Sequence, residues 1–319
     1  LNLIRRVYAA QPGEDGPERA EGAKVSSVQS LRRGLREGSP THAVCVFDGE
    51  GQSWRHELHP EYKAGHAPMP EALESALEEY REAFREIGVA SLIRPRLEAD
   101  DVIATISCKA VAAGVSATIL STDKIFLALL PLGVRVRDHF KGTDFKPQDV
   151  VEKFGVRPEQ LVDFLALAGD RGNGIHGVPG IGPKSASELL SRFETLEDAL
   201  QAMDDLEGRL GERLRTHAST ARLCHELISL RTDLELGTNM SELRYLPIEV
   251  QRRTNEQRPL EGLGLFGGWS GSCRQLRMAA MLVETFDRSR SGSCLARWRS
   301  AKKERRSETG NSGPNREVW

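Results

Sequence analysis

Cysteine is sparse and unpatterned in this 319-residue chain: there are five, Cys45, Cys108, Cys224, Cys273 and Cys294, with no CxxC pair and no histidine at zinc spacing. That excludes a cysteine-based zinc motif, and the apolar settings of Cys45 and Cys108 suit small buried thiols. Long uncharged apolar runs are missing, as is a signal-peptide pattern, so the expectation is a soluble cytoplasmic protein with no membrane partner. An excess of either charge is also missing: the formal net charge is −2. The balance is uneven, however, with residues 1–245 at −8 and residues 246–319 at +6. An acidic body argues against holding nucleic acid by bulk charge. It suits a carboxylate-lined metal site flanked by local basic patches.

What is present is organised in two parts and a tail. The first part alternates strand and helix signals. Strands are expected at His42–Phe47, Val89–Ile93, Ala117–Ser121 and Val134–Asp138, with helices over Glu71–Gly88 and Asp101–Ala113 between them. Strands separated by helices of ten or more residues imply an α/β domain with a mostly parallel sheet, whose ligand site lies beyond the carboxyl ends of the strands. From about Lys146 the pattern is all-helical, with short helices over Pro147–Phe154, Pro158–Ala168, Lys184–Phe193 and Thr195–Met203 and a longer one over Leu210–Leu230. The organisation expected is therefore 1–150, 151–246 and a basic tail 247–319. The tail has too little apolar periodicity to offset chain entropy, so it is expected to be disordered apart from a short helix near Arg274–Thr285.

The second part carries Gly177-Val178-Pro179-Gly180-Ile181-Gly182-Pro183-Lys184-Ser185-Ala186. Closely spaced glycines ahead of a helix start describe a hairpin of left-handed turns that offers backbone N–H groups and a helix N-terminus to a phosphate. A Gly/Pro loop between two helices fits the same residues.

The first part carries the carboxylates. Glu98-Ala99-Asp100-Asp101 precedes an apolar helical run, and Asp48 and Asp123 end two strands that would deliver them to the same rim. Carboxylates this close repel unless a cation neutralises them, and oxygen-only donors select Mg²⁺ or Mn²⁺. Helix capping accounts for one acid in the first turn as well as metal binding does. Asp170, beside Arg171, is a weaker candidate. Tyr62-Lys63-Ala64-Gly65-His66 precedes a helix and could place a lysine on a scissile phosphate; a solvated loop fits it too.

Asp48 after an apolar strand, YKAGHAPMP, EADD, STDK and GVPGIGPKSA occur in this order within residues 1–245. The order resembles the bacterial 5′-nuclease (flap endonuclease) family, which includes the 5′-3′ exonuclease domain of DNA polymerase I, and looks nearest to its short stand-alone Xni type. The resemblance implies a PIN-like nuclease domain followed by a helix-hairpin-helix (H3TH) domain. It also implies divalent-metal-dependent hydrolysis of DNA phosphodiesters near a 5′ single-strand/duplex junction, by a monomer whose partner is branched or flapped duplex DNA. Residue by residue, it puts Asp48, Glu98, Asp100, Asp101 and Asp123 on the family's Mg²⁺ carboxylates, with Asp100 central. Lys63 falls on the catalytic arch lysine and Arg6 on the basic residue after the first strand. Gly180, Ile181, Gly182, Pro183, Lys184 and Ser185 match the segment that grips DNA. The main-chain carbonyls of Leu167, Ala168, His176, Val178 and Ile181 match a K⁺ site.

The sequence departs from that pattern in four places. The family has an apolar strand ending in a ligand Asp ahead of the position of Leu1, so the sheet is expected to lack a central strand. Ile125 stands where longer members carry a second acid, Asn173 stands at another acid position, and His66 stands at the arch arginine. Two readings stay open: a metal-dependent 5′ flap endonuclease, or a catalytically weak, K⁺-dependent structure-specific DNA-binding module. A PIN-type ribonuclease is a distant third, because the glycine hairpin suits duplex backbone.

Overall fold

The computed structural model describes residues 2–65, 67–245 and 278–284. Two helices open it, α1 (Asn2–Ala10) and α2 (Pro17–Gly38), followed by β1 (His42–Phe47), α3 (Trp54–Leu58), α4 (Glu71–Ser75) and α5 (Leu77–Glu86). Then come β2 (Ala90–Ile93), α6 (Ala99–Ala112), β3 (Ser116–Leu120), a 3-10 segment (Lys124–Leu132), β4 (Arg135–Asp138) and a short β5 (Thr143–Asp144). The helical part follows with α7 (Pro147–Phe154), α8 (Leu161–Ala168), α9 (Pro183–Arg192), α10 (Leu196–Gln201) and α11 (Gly208–Ile228). A last strand, β6 (Met278–Glu284), returns to the sheet. No helix among the described residues is long and apolar enough to cross a membrane.

Each expected strand is present within a residue or so, because each is a short apolar run bounded by turn residues. The expected helix over Glu71–Gly88 is broken at Ala76 into α4 and α5, yet Leu73, Leu77, Tyr80, Phe84 and Ile87 are all buried, as their spacing requires. The boundary expected at 150/151 runs through α7, whose left-handed cap Gly155 is the nearest break in the chain.

The sheet order is β2-β1-β6-β3-β4-β5. Strands β1 to β4 all run one way, and β5 and β6 oppose them. Two expectations are corrected here. Met278–Glu284 is a strand where a short helix was expected, and the central position between β1 and β3 is filled where a gap was expected. Central strands must pair their backbone groups on both edges; β6 does this antiparallel, with Cys45 opposite Ala280 on one side and Leu120 opposite Ala280 on the other. The rest of the 247–319 tail, with Cys273 and Cys294, lies outside the described residues.

Alternation along β1 divides the core. Ala43, Cys45 and Phe47 face α1, α2, α4 and α5, whereas Val44 and Val46 face α6. The α6 side continues through the 3-10 segment into α8, α9 and α11, so the sheet domain and the helical part share one apolar core. Cys45, Cys108 and Cys224 are buried thiols, and burial pushes the Cys45 thiol up to about 12.

Candidate active site and nucleic-acid interface

The carboxyl rim of the sheet meets the N-terminus of α6. Glu98 is the N-cap of that helix, and Asp100 and Asp101 sit in its first turn, where the helix dipole favours negative charge. Asp48, one residue past β1, turns its Oδ1 onto the backbone N–H of Ala99 at 2.6 Å. It thereby satisfies one orphan donor of the helix from a neighbouring strand. Asp48, Glu98, Asp100 and Asp101 are all buried.

Their partners differ. Glu98 accepts from Ser53 Oγ through Oε1 at 2.7 Å and pairs with Lys63 Nζ through Oε2 at 2.6 Å, with Arg55 at 3.6 Å. Lys63 is itself buried, in a left-handed backbone conformation (φ 59°), and its ammonium lies over the Tyr62 ring. Asp101 takes both arms of the Arg55 guanidinium, at 2.7 and 2.9 Å, plus Trp54 Nε1 at 3.0 Å and the Arg231 N–H at 3.0 Å. Burial alone would push Arg55 down, but the Asp101 and Glu98 charges and the Asp101 hydrogen bonds outweigh it and hold the guanidinium above its ordinary value. Neighbouring His56 is pushed down by burial, so its Nδ1 stays available to accept the Ser53 N–H.

Asp123 sits at the same rim past β3, half-buried, where Oδ1 caps the 3-10 segment through the Ile125 N–H at 3.2 Å. Lys124 reaches into the helical part and pairs with buried Asp170 at 2.6 Å, whose second oxygen accepts from the Asn173 amide at 2.7 Å. Arg6 lies on the exposed face of α1, and His66 lies outside the described residues.

The donor set at the rim is all oxygen, the chemistry of a hard cation such as Mg²⁺ or Mn²⁺. Asp48, Glu98 and Asp100 are brought together there by one helix start and one strand end, and Glu98 would have to exchange its Lys63 and Ser53 partners to serve as a ligand. Asp101 does not fit as a ligand in this arrangement, because four donors occupy a carboxylate that has about four lone-pair sites. Among the described residues no three acids, histidines or cysteines already converge on one point.

The glycine hairpin spans the end of α8 and the start of α9. Its inner side is buried Val178, Ile181 and Ala186, and its outer side is exposed Gly180, Gly182, Pro183 and Lys184, with Ser185 half-buried. Gly177 (φ 74°) lets two strands of the loop touch: a Cβ there would lie 2.4 Å from the Gly169 nitrogen and 2.6 Å from the Leu167 carbonyl. That approach brings the Leu167–Gly169 and Ile175–Gly177 backbones face to face, with the His176 carbonyl 2.6 Å from where a Gly169 Cβ would stand. Leu167 and Val178 already accept from the Val178 and Ile181 N–H groups, each leaving a second lone pair. Gly182 departs from the expected left-handed turn: its φ is −95°, and a Cβ there would meet open space. What its missing side chain leaves is access to the N-terminus of α9. On α11, Arg213 donates to the Gly180 carbonyl.

Sequence reasoning did not single out Trp54, Arg55 or Lys124, whose hydrogen bonds to Asp101 and Asp170 span 46 or 47 residues of chain.

A carboxylate rim built on a helix start, packed through one core against a helical glycine hairpin, defines a two-part nuclease architecture. Residues 1–155 match the family model described as 5′-3′ exonuclease, N-terminal resolvase-like domain, and residues 156–251 match 5′-3′ exonuclease, C-terminal SAM fold. Among curated relatives, flap endonuclease Xni of Vibrio vulnificus is 40% identical over 253 residues, 79% of this chain and 96% of that protein. The Photobacterium profundum protein of the same name is 42% identical over 248 residues, 77% of this chain and 95% of that protein. The chain belongs to the 5′-3′ exonuclease family. Its fold is shared by T5 5′-exonuclease with bound divalent metal ions (TM-score 0.60, 24% identity, 72% of this chain and 87% of that one). The catalytic core of Rad2 in complex with DNA substrate also shares it (TM-score 0.50, 12% identity, 78% and 81%).

Proposed function

We propose that this protein is a divalent-metal-dependent, structure-specific 5′ flap endonuclease and 5′-3′ exonuclease acting on branched duplex DNA. The observation that carries this reading is the placement of Asp48, Glu98 and Asp100 around the first turn of one helix, in a chain whose relatives over nearly their full length are named flap endonucleases.

In this reading Asp48, Glu98 and Asp100, with Asp123 across the rim, hold Mg²⁺ or Mn²⁺. The ion supplies an activated water and charge stabilisation at the phosphate. Lys63 waits on Glu98 and turns its charge toward the scissile phosphate. Gly180 to Ser185 grip the duplex backbone, so recognition is of structure and not of sequence, and weakens steeply with salt. The carbonyls of Leu167, Ala168, His176, Val178 and Ile181 hold K⁺, which adds a positive charge beneath the bound phosphate. Arg6 contacts the DNA backbone, a role supported by its exposure on α1. The protein works as a monomer in the cytoplasm, a setting that its buried thiols support.

One observation favours the second reading, a weakly catalytic, K⁺-dependent binding module. Glu98, Asp101 and Asp170 are already engaged by Lys63, Arg55 and Lys124. Incubating the chain with 5′-flap and unbranched duplex DNA in Mg²⁺ separates the two. The nuclease reading expects release of the flap at the junction; tight flap binding without any cleavage in Mg²⁺ or Mn²⁺ supports the binding module instead. Replacing K⁺ by Na⁺ should weaken duplex binding, and an unchanged affinity would remove the potassium site.

A further inference from the structure

The carboxylate of Asp101 gathers three separated pieces of chain. Trp54 and Arg55 come from α3, Asp101 from α6, and the Arg231 N–H from the segment after α11. Arg55 also donates through Nε to the Leu227 carbonyl at 2.7 Å and through Nη2 to the Ser229 carbonyl at 3.0 Å, so one buried guanidinium binds the end of α11 and the start of α6 together. The Trp54 ring is stacked by two guanidinium groups, Arg55 at 4.4 Å and Arg231 at 4.1 Å. Beyond this knot the chain runs along α6. Thr105 Oγ1 donates to the Arg231 carbonyl at 3.1 Å and Lys109 Nζ to the Leu234 carbonyl at 2.8 Å. Asp101, Thr105 and Lys109 recur every four residues, one stripe of the helix.

The other end of α11 is bonded to the hairpin, through Arg213 and the Gly180 carbonyl. One helical segment, bent at His217, therefore touches the hairpin near its start and the carboxylate-bearing helix at its end. We propose that Arg55 and Asp101 are positioning residues: they lock the first turn of α6, and with it Glu98 and Asp100, to the end of α11, whose other end is bonded to the DNA-holding hairpin. Asp101 thus serves the metal site from outside it. This rests on the reading of Glu98 and Asp100 as metal ligands.

The test is Mn²⁺ titration calorimetry on the full chain, with duplex affinity measured separately by anisotropy in K⁺ and EDTA. Arg55→Lys keeps the charge and loses the fork that reaches both carboxylate oxygens and both carbonyls. It should weaken Mn²⁺ binding about tenfold, the size typical of a residue that orients metal ligands, with duplex affinity held within about twofold. Trp54→Phe keeps the stacked ring and removes one donor to Asp101; it should shift Mn²⁺ affinity the same way by a smaller factor, and it decides the matter if Arg55→Lys does not fold. Unchanged Mn²⁺ affinity with a reduced number of sites, the mark of a merely structural role, would overturn the proposal. So would an equal loss of duplex affinity. A wild-type chain that binds no Mn²⁺ would instead overturn the metal-ligand reading beneath it.

Discussion

Substituting Ala280 by proline tests whether the sheet is closed by a strand from the far end of the chain. Ala280 is the third residue of β6, opposite Cys45 of β1 and Leu120 of β3, both buried. Proline there removes one N–H from a ladder that has neighbours on both sides, and its ring has no room in a central strand. The lost bond is about 1 kcal/mol net, and a carbonyl left buried without its donor adds about 1–3 kcal/mol. With the ring clash the total is about 3–5 kcal/mol, a large part of the stability of an ordinary domain. For a protein of this size that lowers Tm by about 6–20 °C. Thermal unfolding by calorimetry, compared with the wild type, measures it. Ala280→Pro melting with the wild type would refute the placement of β6, and β1 and β3 would then need another partner.

Three further outcomes follow from side-chain settings. Burial pushes His139 down to about 4, with the Asp138 charge opposing. Its neutral form then contributes stability that is fully present above about pH 6.5 and lost as the pH falls toward 4, about 3 kcal/mol at most; the stability-against-pH curve of His139→Phe, from urea denaturation, should lack that slope. In the hairpin, Gly182→Glu should leave Tm unchanged and weaken duplex binding severalfold, because its side chain meets open space at the N-terminus of α9. Gly177→Ala should lower Tm, because its Cβ has no room; anisotropy and melting curves that rank the two variants the other way would refute the division of the loop into inner and outer sides. Lys63→Met removes the ammonium partner of buried Glu98, leaving Ser53 and the more distant Arg55, and should destabilise by about 3 kcal/mol. The double variant with Glu98→Gln should recover most of that, and urea denaturation of the two checks it.

Much of the fold is legible wherever local pattern and tertiary context agree. β1 and α7 fall on their expected residues because an apolar run ending at Asp48, and a Pro147 start with a Gly155 stop, are each self-sufficient signals. Met278–Glu284 misleads for the opposite reason. Its Met, Ala and Leu content favours helix, and the open edges of β1 and β3 impose strand pairing over that preference. The opening helices carry a local signal of their own, since Leu3, Ile4, Val7 and Tyr8 recur on one buried face and Pro17 marks a helix start. At the site, local sequence brought out the acids because they are clustered in EADD. It could not divide them between a cation-holding role and a structural one. That division depends on Arg55, Trp54 and Arg231, which meet Asp101 only in the folded chain. The hairpin glycines were legible as a group, but their reasons differ: close backbone approach at Gly177, open access at Gly182.

The central claim separates cutting, assigned to the start of α6, from holding, assigned to the hairpin. Asp100→Ala tests it most directly, with cleavage of a 5′-flap substrate in Mg²⁺ and Mn²⁺ and duplex affinity measured on the same preparation. The account predicts cleavage by the wild type that falls to background in Asp100→Ala, while duplex affinity is retained. Flap cleavage undiminished in Asp100→Ala would contradict it.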